Sequence, residues 1–166
     1  MIDPAGADQH FMMQALREAK KAYVAGEVPV GAVVVREGQI IARGHNQVEL
    51  LKDATAHAEM LAITSAEAAV EDWRLNDCEL YVTKEPCPMC AGAIVHVRFA
   101  RVIFGCPDAK GGALGGFINL LDQPSLNHRA IVTGNVMADE CGAILKAFFA
   151  ERRAAGITRS EISDLR

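Results

Sequence analysis

The first part of the chain alternates apolar and polar positions with helical spacing. Charged side chains lie largely between apolar ones that recur every three or four residues, at Met12, Ala15, Leu16, Ala19 and Tyr23. This pattern predicts a helix that begins at Asp8 as its N-cap and stops at Gly26. Residues 1–7 are predicted to form a loose start.

A nearly continuous run of β-branched residues follows at 28–35 and predicts a buried strand. Pro29 is expected at its start, where a missing hydrogen-bond donor matters least. Residues 37–38, Glu-Gly, predict a turn, and residues 39–45 predict a returning strand. These two strands are therefore expected to form a hairpin, and residues 46–54 a polar connection.

The rest of the chain alternates between helical and strand patterns. The predicted helices cover 58–73, 89–98 and 139–153, and the predicted strands cover 78–83, 101–106 and 130–133. A Gly-rich loop is expected over 105–116, a short apolar turn or helix over 117–121, and a polar tail from 156. The order of elements favours one three-layer α/β domain, in which early antiparallel pairing gives way to parallel crossovers.

Composition narrows the class of protein. The chain has 166 residues, of which 51% are apolar and 23% charged, as expected for one soluble globular domain over 1–166. Its formal net charge of −4 excludes a global basic field, so a nucleic-acid partner would need a local patch. No apolar stretch has membrane-spanning length, and no cleavable leader pattern is present. We therefore expect a cytoplasmic protein with reduced cysteines.

Two short stretches carry the candidate chemistry. His57 and Glu59 lie in the first, and Cys87 and Cys90 in the second. One imidazole and two thiolates would supply three ligands to a tetrahedral zinc ion and leave a fourth position for water. Glu59 would then be free to move protons. The pattern favours a catalytic zinc site over a structural one.

The spacing of these residues constrains where a metal would lie. Side chains at i and i+2, such as His57 and Glu59, do not share a helical face, so the metal must lie off the first turn of a helix. Cys87 and Cys90 are three residues apart, which brings both thiols to one side of a helix start. Both pairs would lie at helix N-termini, where the helix dipole favours anions.

A Cys-x-x-Cys pair also occurs in two other kinds of site. A four-cysteine zinc ribbon would need a second cysteine pair, whereas Cys78, Cys106 and Cys141 stand alone. A glutaredoxin-like redox motif also fits a cysteine pair between a strand and a helix. That interpretation leaves His57 and Glu59 unexplained.

The motif His57-Ala58-Glu59 followed by Pro86-Cys87-Pro88-Met89-Cys90 resembles the signature of the zinc-dependent nucleobase deaminases. Further segments resemble the bacterial tRNA adenosine deaminases, at 27–33, 53–59, 90–94, 101–105, 108–110, 127–129, 138–141 and 148–149. The resemblance extends over about 8–153 and marks this range as the core of the domain. Residues 1–7 and about 154–166 would be peripheral.

The resemblance implies a cytidine-deaminase-like fold, a three-layer α/β/α arrangement with a five-stranded mixed sheet. It also implies one zinc ion per chain on His57, Cys87 and Cys90, with Glu59 as the proton shuttle. An activated water would attack C6 of adenine and give inosine at the wobble position of a tRNA anticodon. The implied assembly is a homodimer that binds the tRNA anticodon stem-loop.

The resemblance assigns substrate contacts less firmly than metal ligands. The implied contact residues are Val28, Asn46, Ala58, Pro86, Asp108, Phe148, Arg152 and Arg153. Simpler structural roles remain open for several of them. Asn46 and Asp108 are both common turn residues, and one of Phe148 and Phe149 is expected in the core of an amphipathic helix. Arg152 and Arg153 would ordinarily form a solvated helix end.

The acidic net charge conflicts with tRNA binding unless cations cluster locally. The candidate patch consists of Arg129, Lys146, Arg152 and Arg153. The chain also departs from the family pattern at Lys84, where a small or apolar residue is usual, and at Pro107 and Gly111-Gly112. These departures bear on sequence-context preference rather than on catalysis.

These features are compatible with three functions. The leading hypothesis is tRNA adenosine deamination, and the alternative is a zinc deaminase of a free base or nucleotide, such as guanine or a cytosine compound. The C-terminal helix with Phe148 and its arginines separates these two, because a small-molecule enzyme would not need it. A non-enzymatic tRNA-binding subunit is the third, and the presence of Glu59 argues against it.

Overall fold

The computed structural model describes residues 4–158 and 160–161. A five-stranded sheet in the order β2-β1-β3-β4-β5 forms its centre. The strands are β1 (Gly31–Arg36), β2 (Gln39–His45), β3 (Cys78–Lys84), β4 (Arg101–Cys106) and β5 (Ile131–Thr133). β1 pairs antiparallel with both β2 and β3, whereas β4 pairs parallel with β3 and β5. The predicted change from antiparallel to parallel pairing is confirmed.

Helices cover both faces of this sheet. The helices are α1 (Pro4–Val24), α2 (Val48–Leu51), α3 (Ala58–Val70), α4 (Pro88–Val97) and α5 (Ala138–Ala154), with a 3₁₀ turn at Leu120–Asp122. α1 and α5 pack on one face, and α3 packs on the other beside α4. Within the described residues, no helix is both long enough and apolar enough to cross a membrane.

Strand β1 is buried on both faces, which explains its continuous apolar sequence. Val33 and Val35 point towards α1 and join the core cluster of Met12. Ala32 and Val34 point the other way, into the larger core beneath α3 and α4. The hairpin turn forms at the predicted place, with positive φ angles of 51° at Glu37 and 72° at Gly38.

Two predictions about the start of the chain were wrong. Residues 4–7 are helical rather than loose, and Asp8 lies within α1 rather than at its N-cap. The Asp8 carboxylate is buried, and it accepts hydrogen bonds from the Tyr81 hydroxyl at 2.8 Å and from Arg101 at 3.0 Å. This carboxylate therefore fixes α1 to the sheet. Of the predicted tail, residues 160–161 are helical and 156–158 are not, and residues 159 and 162–166 lie outside the described residues.

Candidate metal centre and cavity

The N-termini of α3 and α4 converge at the candidate metal centre. His57 is the N-cap of α3, and Cys87 is the N-cap of α4, both with extended backbone. Pro88 occupies the first helical position of α4, where its missing N–H costs nothing and its fixed φ suits a helix. Cys90 lies one turn further and is fully buried. The prediction that both ligand pairs lie at helix starts is confirmed.

Three ligand atoms meet at this point. His57 Nδ1 lies 3.6 Å from Cys87 Sγ and 3.5 Å from Cys90 Sγ, and all three atoms are within 4.8 Å of one another. A tetrahedral zinc ion at about 2.3 Å from sulfur and about 2.0 Å from nitrogen holds such atoms about 3.5 Å apart. The donor set and its spacing therefore fit zinc, with room for a fourth ligand.

The pKa values of the two thiols are shifted in opposite directions. A hydrogen bond from Cys90 and another from the imidazole of His57 lower the pKa of Cys87 to about 4. The neighbouring Cys87 sulfur, burial and the charge of Glu59 raise the pKa of Cys90. One thiolate therefore forms readily without a metal, and a cation would favour loss of the second proton.

Glu59 lies in the first turn of α3, beside the ligand set. Its side chain is 4% exposed, and burial raises the pKa of its carboxyl group above the usual value. A buried carboxyl group whose pKa lies closer to neutrality can both accept and return a proton. The proton transfer predicted for Glu59 from the sequence requires this property.

A cavity of about 670 Å³ opens over the metal centre. Among the described residues it is lined by Glu27, Val28, Val30, Asn46, Val48, Glu49, Ala54, His57, Ala58, Glu59, Lys84, Glu85, Cys87, Pro88, Asp108, Lys110, Gly111, Leu145 and Phe149. Four of the predicted substrate contacts are in this set, namely Val28, Asn46, Ala58 and Asp108. Pro86, Phe148, Arg152 and Arg153 are outside it.

The two phenylalanines of α5 have different environments. Phe148 is 2% exposed, and its ring packs edge-on against the rings of Tyr23 and Phe149. Phe149 lines the cavity instead. The structure thus identifies Phe148 as the core member of the pair and places Phe149 where a substrate would lie.

The C-terminal arginines also differ in their surroundings. Arg152 donates a 2.6 Å hydrogen bond to the carbonyl oxygen of Gly26, and its guanidinium lies 4.8 Å from the centre of the Phe148 ring. It ties α5 to the loop that follows α1. Arg153 is exposed. The structure therefore gives Arg152 a fixed internal contact that sequence reasoning did not predict.

Glu85 is a residue of the site that sequence reasoning missed. Its buried carboxylate accepts hydrogen bonds from the backbone N–H groups of Asp108, Leu114 and Gly116 at 2.8, 3.0 and 2.8 Å. A Cβ atom on Gly112 or Gly116 would lie within 2.5 Å of this carboxylate. The Gly-rich loop is therefore folded around Glu85. Its position directly before Pro86-Cys87 was the available clue.

Glu27, which also lines the cavity, has a similar role. Its buried carboxylate accepts hydrogen bonds from the backbone N–H groups of Glu49 at 3.1 Å and Leu50 at 2.7 Å. These donors belong to the first turn of α2, where N–H groups lack partners within the helix. Glu27 therefore positions the short helix that follows Asn46.

Comparisons with known proteins place these features in a wider group. The MafB19-like deaminase family matches residues 7–153. The tRNA-specific adenosine deaminase of Bacillus subtilis (strain 168) is 52% identical over 146 residues, which cover 88% of this chain and 91% of the relative. That of Aquifex aeolicus (strain VF5) is 49% identical, with 87% and 95% covered.

A solved structure gives the same result. A chain from biochemical and structural studies of A-to-I editing by tRNA:A34 deaminases at the wobble position of transfer RNA superposes with a TM-score of 0.80. It is 43% identical, and the match covers 82% of this chain and 99% of that chain. The similarity thus extends from sequence to three-dimensional structure.

Proposed function

This chain belongs to the tRNA-specific adenosine deaminases, and from that membership we propose that it converts adenosine to inosine at the wobble position of a tRNA anticodon. The observation that carries the proposal is the meeting of His57, Cys87 and Cys90 beside the buried carboxyl group of Glu59. The identity of 52% to a relative of nearly the same extent supports it.

The three ligands would hold one zinc ion, which when bound supplies the positive charge that makes a water molecule acidic near neutral pH. Glu59 accepts the proton of the attacking water while the water oxygen forms a bond to C6 of adenine. The carboxyl group passes this proton to N1, then takes the proton of the hydroxyl group now on C6 and delivers it to N6. The C6–N6 bond then breaks, and ammonia leaves.

The cavity has the size and lining that a nucleoside requires. Its volume of about 670 Å³ lies within the range typical of small-molecule sites. We assign base recognition to the side chains of Asn46, Val28 and Ala58, and the contact with the neighbouring nucleotide to Asp108. Phe149 supplies an aromatic surface on which an unstacked base can pack.

The partner is then the anticodon stem-loop of a tRNA, bound in the cytoplasm where tRNA is modified. Of the patch of Arg129, Lys146, Arg152 and Arg153, the three exposed members would contact its phosphates, whereas Arg152 already donates to the carbonyl oxygen of Gly26. Recognition of a splayed loop base needs fewer phosphate contacts than duplex binding does.

We further propose a homodimer in which each chain forms one deaminase domain with its core at about 8–153. The match of the family to residues 7–153 supports this domain assignment. Phe117 and Ile118 are 65% and 40% exposed, as side chains covered by a partner subunit would be in an isolated chain. Size-exclusion chromatography with light scattering tests the dimer directly.

The decisive experiment uses an anticodon stem-loop with adenosine at the wobble position. The zinc-loaded chain and its Glu59→Ala variant are incubated with it, and nucleosides are quantified after digestion. Inosine from the parent and none from the variant is the expected result. No inosine from the zinc-loaded parent would contradict the proposal, and guanine and cytidine would be tested next.

A further inference from the structure

The cavity is acidic, although its proposed substrate is a polyanion. Within the described part of the chain, five carboxylates and two ammonium groups line it, from Glu27, Glu49, Glu59, Glu85, Asp108, Lys84 and Lys110. Glu27 and Glu85 already accept hydrogen bonds from backbone N–H groups. Phosphates that approach this wall are repelled unless a cation meets them. The two lysines are therefore the groups to examine.

Lys84 is the better placed of the two lysines. It is the last residue of β3, so its backbone is held by the sheet, whereas Lys110 is an exposed residue of the Gly-rich loop. The Lys84 ammonium group lies 2.8 Å from Oδ2 of Asp108. The two side chains are 30% and 19% exposed, so both can be reached from the cavity.

Asp108 is bonded by Lys84 at only one of its two carboxylate oxygens, Oδ2. Its other oxygen, Oδ1, accepts from the backbone N–H groups of Lys110 at 3.0 Å and Gly111 at 3.1 Å. A partly exposed ion pair of this kind contributes little net stability. Lys84 can therefore leave Asp108 at small cost when another anion is offered.

We propose that Lys84 is a substrate-binding residue that exchanges Asp108 for a phosphate of the nucleotide next to the target adenosine. The exchange leaves Oδ2 of Asp108 free to accept a hydrogen bond from that nucleotide. One cation then serves two purposes, because it neutralises Asp108 in the free protein and a phosphate in the complex. The inference rests on the proposed function, since it needs an RNA loop in the cavity.

Salt dependence tests this exchange. Each phosphate contact to a single strand contributes about 0.7 to the slope of log binding constant against log salt concentration. Binding of a fluorescent anticodon stem-loop is measured by anisotropy at several salt concentrations, in the Glu59→Ala background so that no turnover occurs. The variants are Lys84→Met, Lys84→Gln and the conservative Lys84→Arg. Lys20→Met is the matched control, because it removes the same charge from an exposed site on α1 outside the cavity lining.

We expect Lys84→Met and Lys84→Gln to lower the slope by about 0.7 and to weaken binding several-fold, while Lys84→Arg keeps the parent slope. With Glu59 restored, KM should rise more than kcat falls. A slope unchanged from that of Lys20→Met would overturn the inference, as would an equal loss in Lys84→Arg. A folded fraction that is constant with salt shifts every apparent binding constant equally and leaves the slope unchanged. Because the parent's inosine yield is measured separately, failure of the proposed function gives a different result.

Discussion

The buried carboxylate of Glu85 accepts a 2.8 Å hydrogen bond from the backbone N–H of Asp108, 23 residues away in the sequence. Two further N–H groups of the same loop, from Leu114 and Gly116, point at this carboxylate. A residue that follows directly after β3 therefore sets the shape of the Gly-rich loop on the wall of the cavity.

Replacing Glu85 with alanine should destabilise the protein strongly. Three backbone donors would lose their acceptor, of which that of Leu114 is buried and those of Asp108 and Gly116 are partly buried. An unsatisfied buried donor costs about 1–3 kcal/mol, whereas partly buried ones can bond to water, so we expect the free energy of unfolding, measured by chemical denaturation, to fall by about 1–3 kcal/mol. Glu140→Ala, at an exposed position of α5, is the control. A loss no larger than that of the control would show that the loop does not depend on this carboxylate.

Gly112 and Gly92 should respond oppositely to alanine. A Cβ atom at Gly112 would lie 2.3 Å from the carboxyl carbon of Glu85, whereas one at Gly92 would meet nothing within 4 Å. Gly112→Ala should therefore cost roughly 1–3 kcal/mol through overpacking. Gly92→Ala, within α4, should gain up to about 1 kcal/mol from helix propensity. Thermal melts of both variants check the sign, and a neutral Gly112→Ala would refute the close contact.

Metal content should follow the three ligands. We expect about one zinc per chain in the parent, measured by plasma mass spectrometry after dialysis. His57→Ala and Cys87→Ala should lose most of this zinc and all deaminase activity, since two ligands hold a catalytic ion poorly. Cys106→Ala, which changes a cysteine outside the ligand set, should keep its zinc. Stoichiometric zinc in both ligand variants would exclude the assigned site.

Substitutions of the two neighbouring arginines of α5 should have different effects, one on stability and the other on RNA binding. Arg152→Ala removes the 2.6 Å hydrogen bond to Gly26 and the contact with Phe148, so we expect a loss of about 1–2 kcal/mol in unfolding free energy. Arg153→Ala should change it by less than about 0.5 kcal/mol. If Arg153 contacts a phosphate, its variant should also lower the salt slope of stem-loop binding. If both variants bind with the parent's salt dependence, the proposed basic patch is wrong.

The sequence predicted the sheet and the ligand set because both depend on local spacing. The run at 28–35 has the composition of a strand buried on both faces, and β1 has that environment at Gly31–Arg36. The three-residue spacing of Cys87 and Cys90 likewise requires only a helix start, which Pro88 supplies. Such patterns can be recognised from a few neighbouring residues.

The features that sequence reasoning missed depend on partners far along the chain. Asp8 has the residue type of a helix cap, but its partner Arg101 is 93 residues away. The sequence could not show which of the adjacent residues Phe148 and Phe149 lies in the core. The contact between Phe148 and Tyr23, which is far away in the sequence, decides this. The acceptor role of Glu85 likewise follows from a loop that returns to it after 29 and 31 residues.

The close succession of Lys84, Glu85 and Cys87 has a consequence for engineering. Within these four residues, Lys84 pairs with the side chain of Asp108, Glu85 accepts hydrogen bonds from the backbone of the Gly-rich loop, and Cys87 is a metal ligand. A loop transplanted from another deaminase at 105–116 would therefore arrive without the groups that shape it. Substrate preference in this fold is a property of a loop and its supporting strand end together, and swaps intended to alter it should exchange residues 84–85 as well.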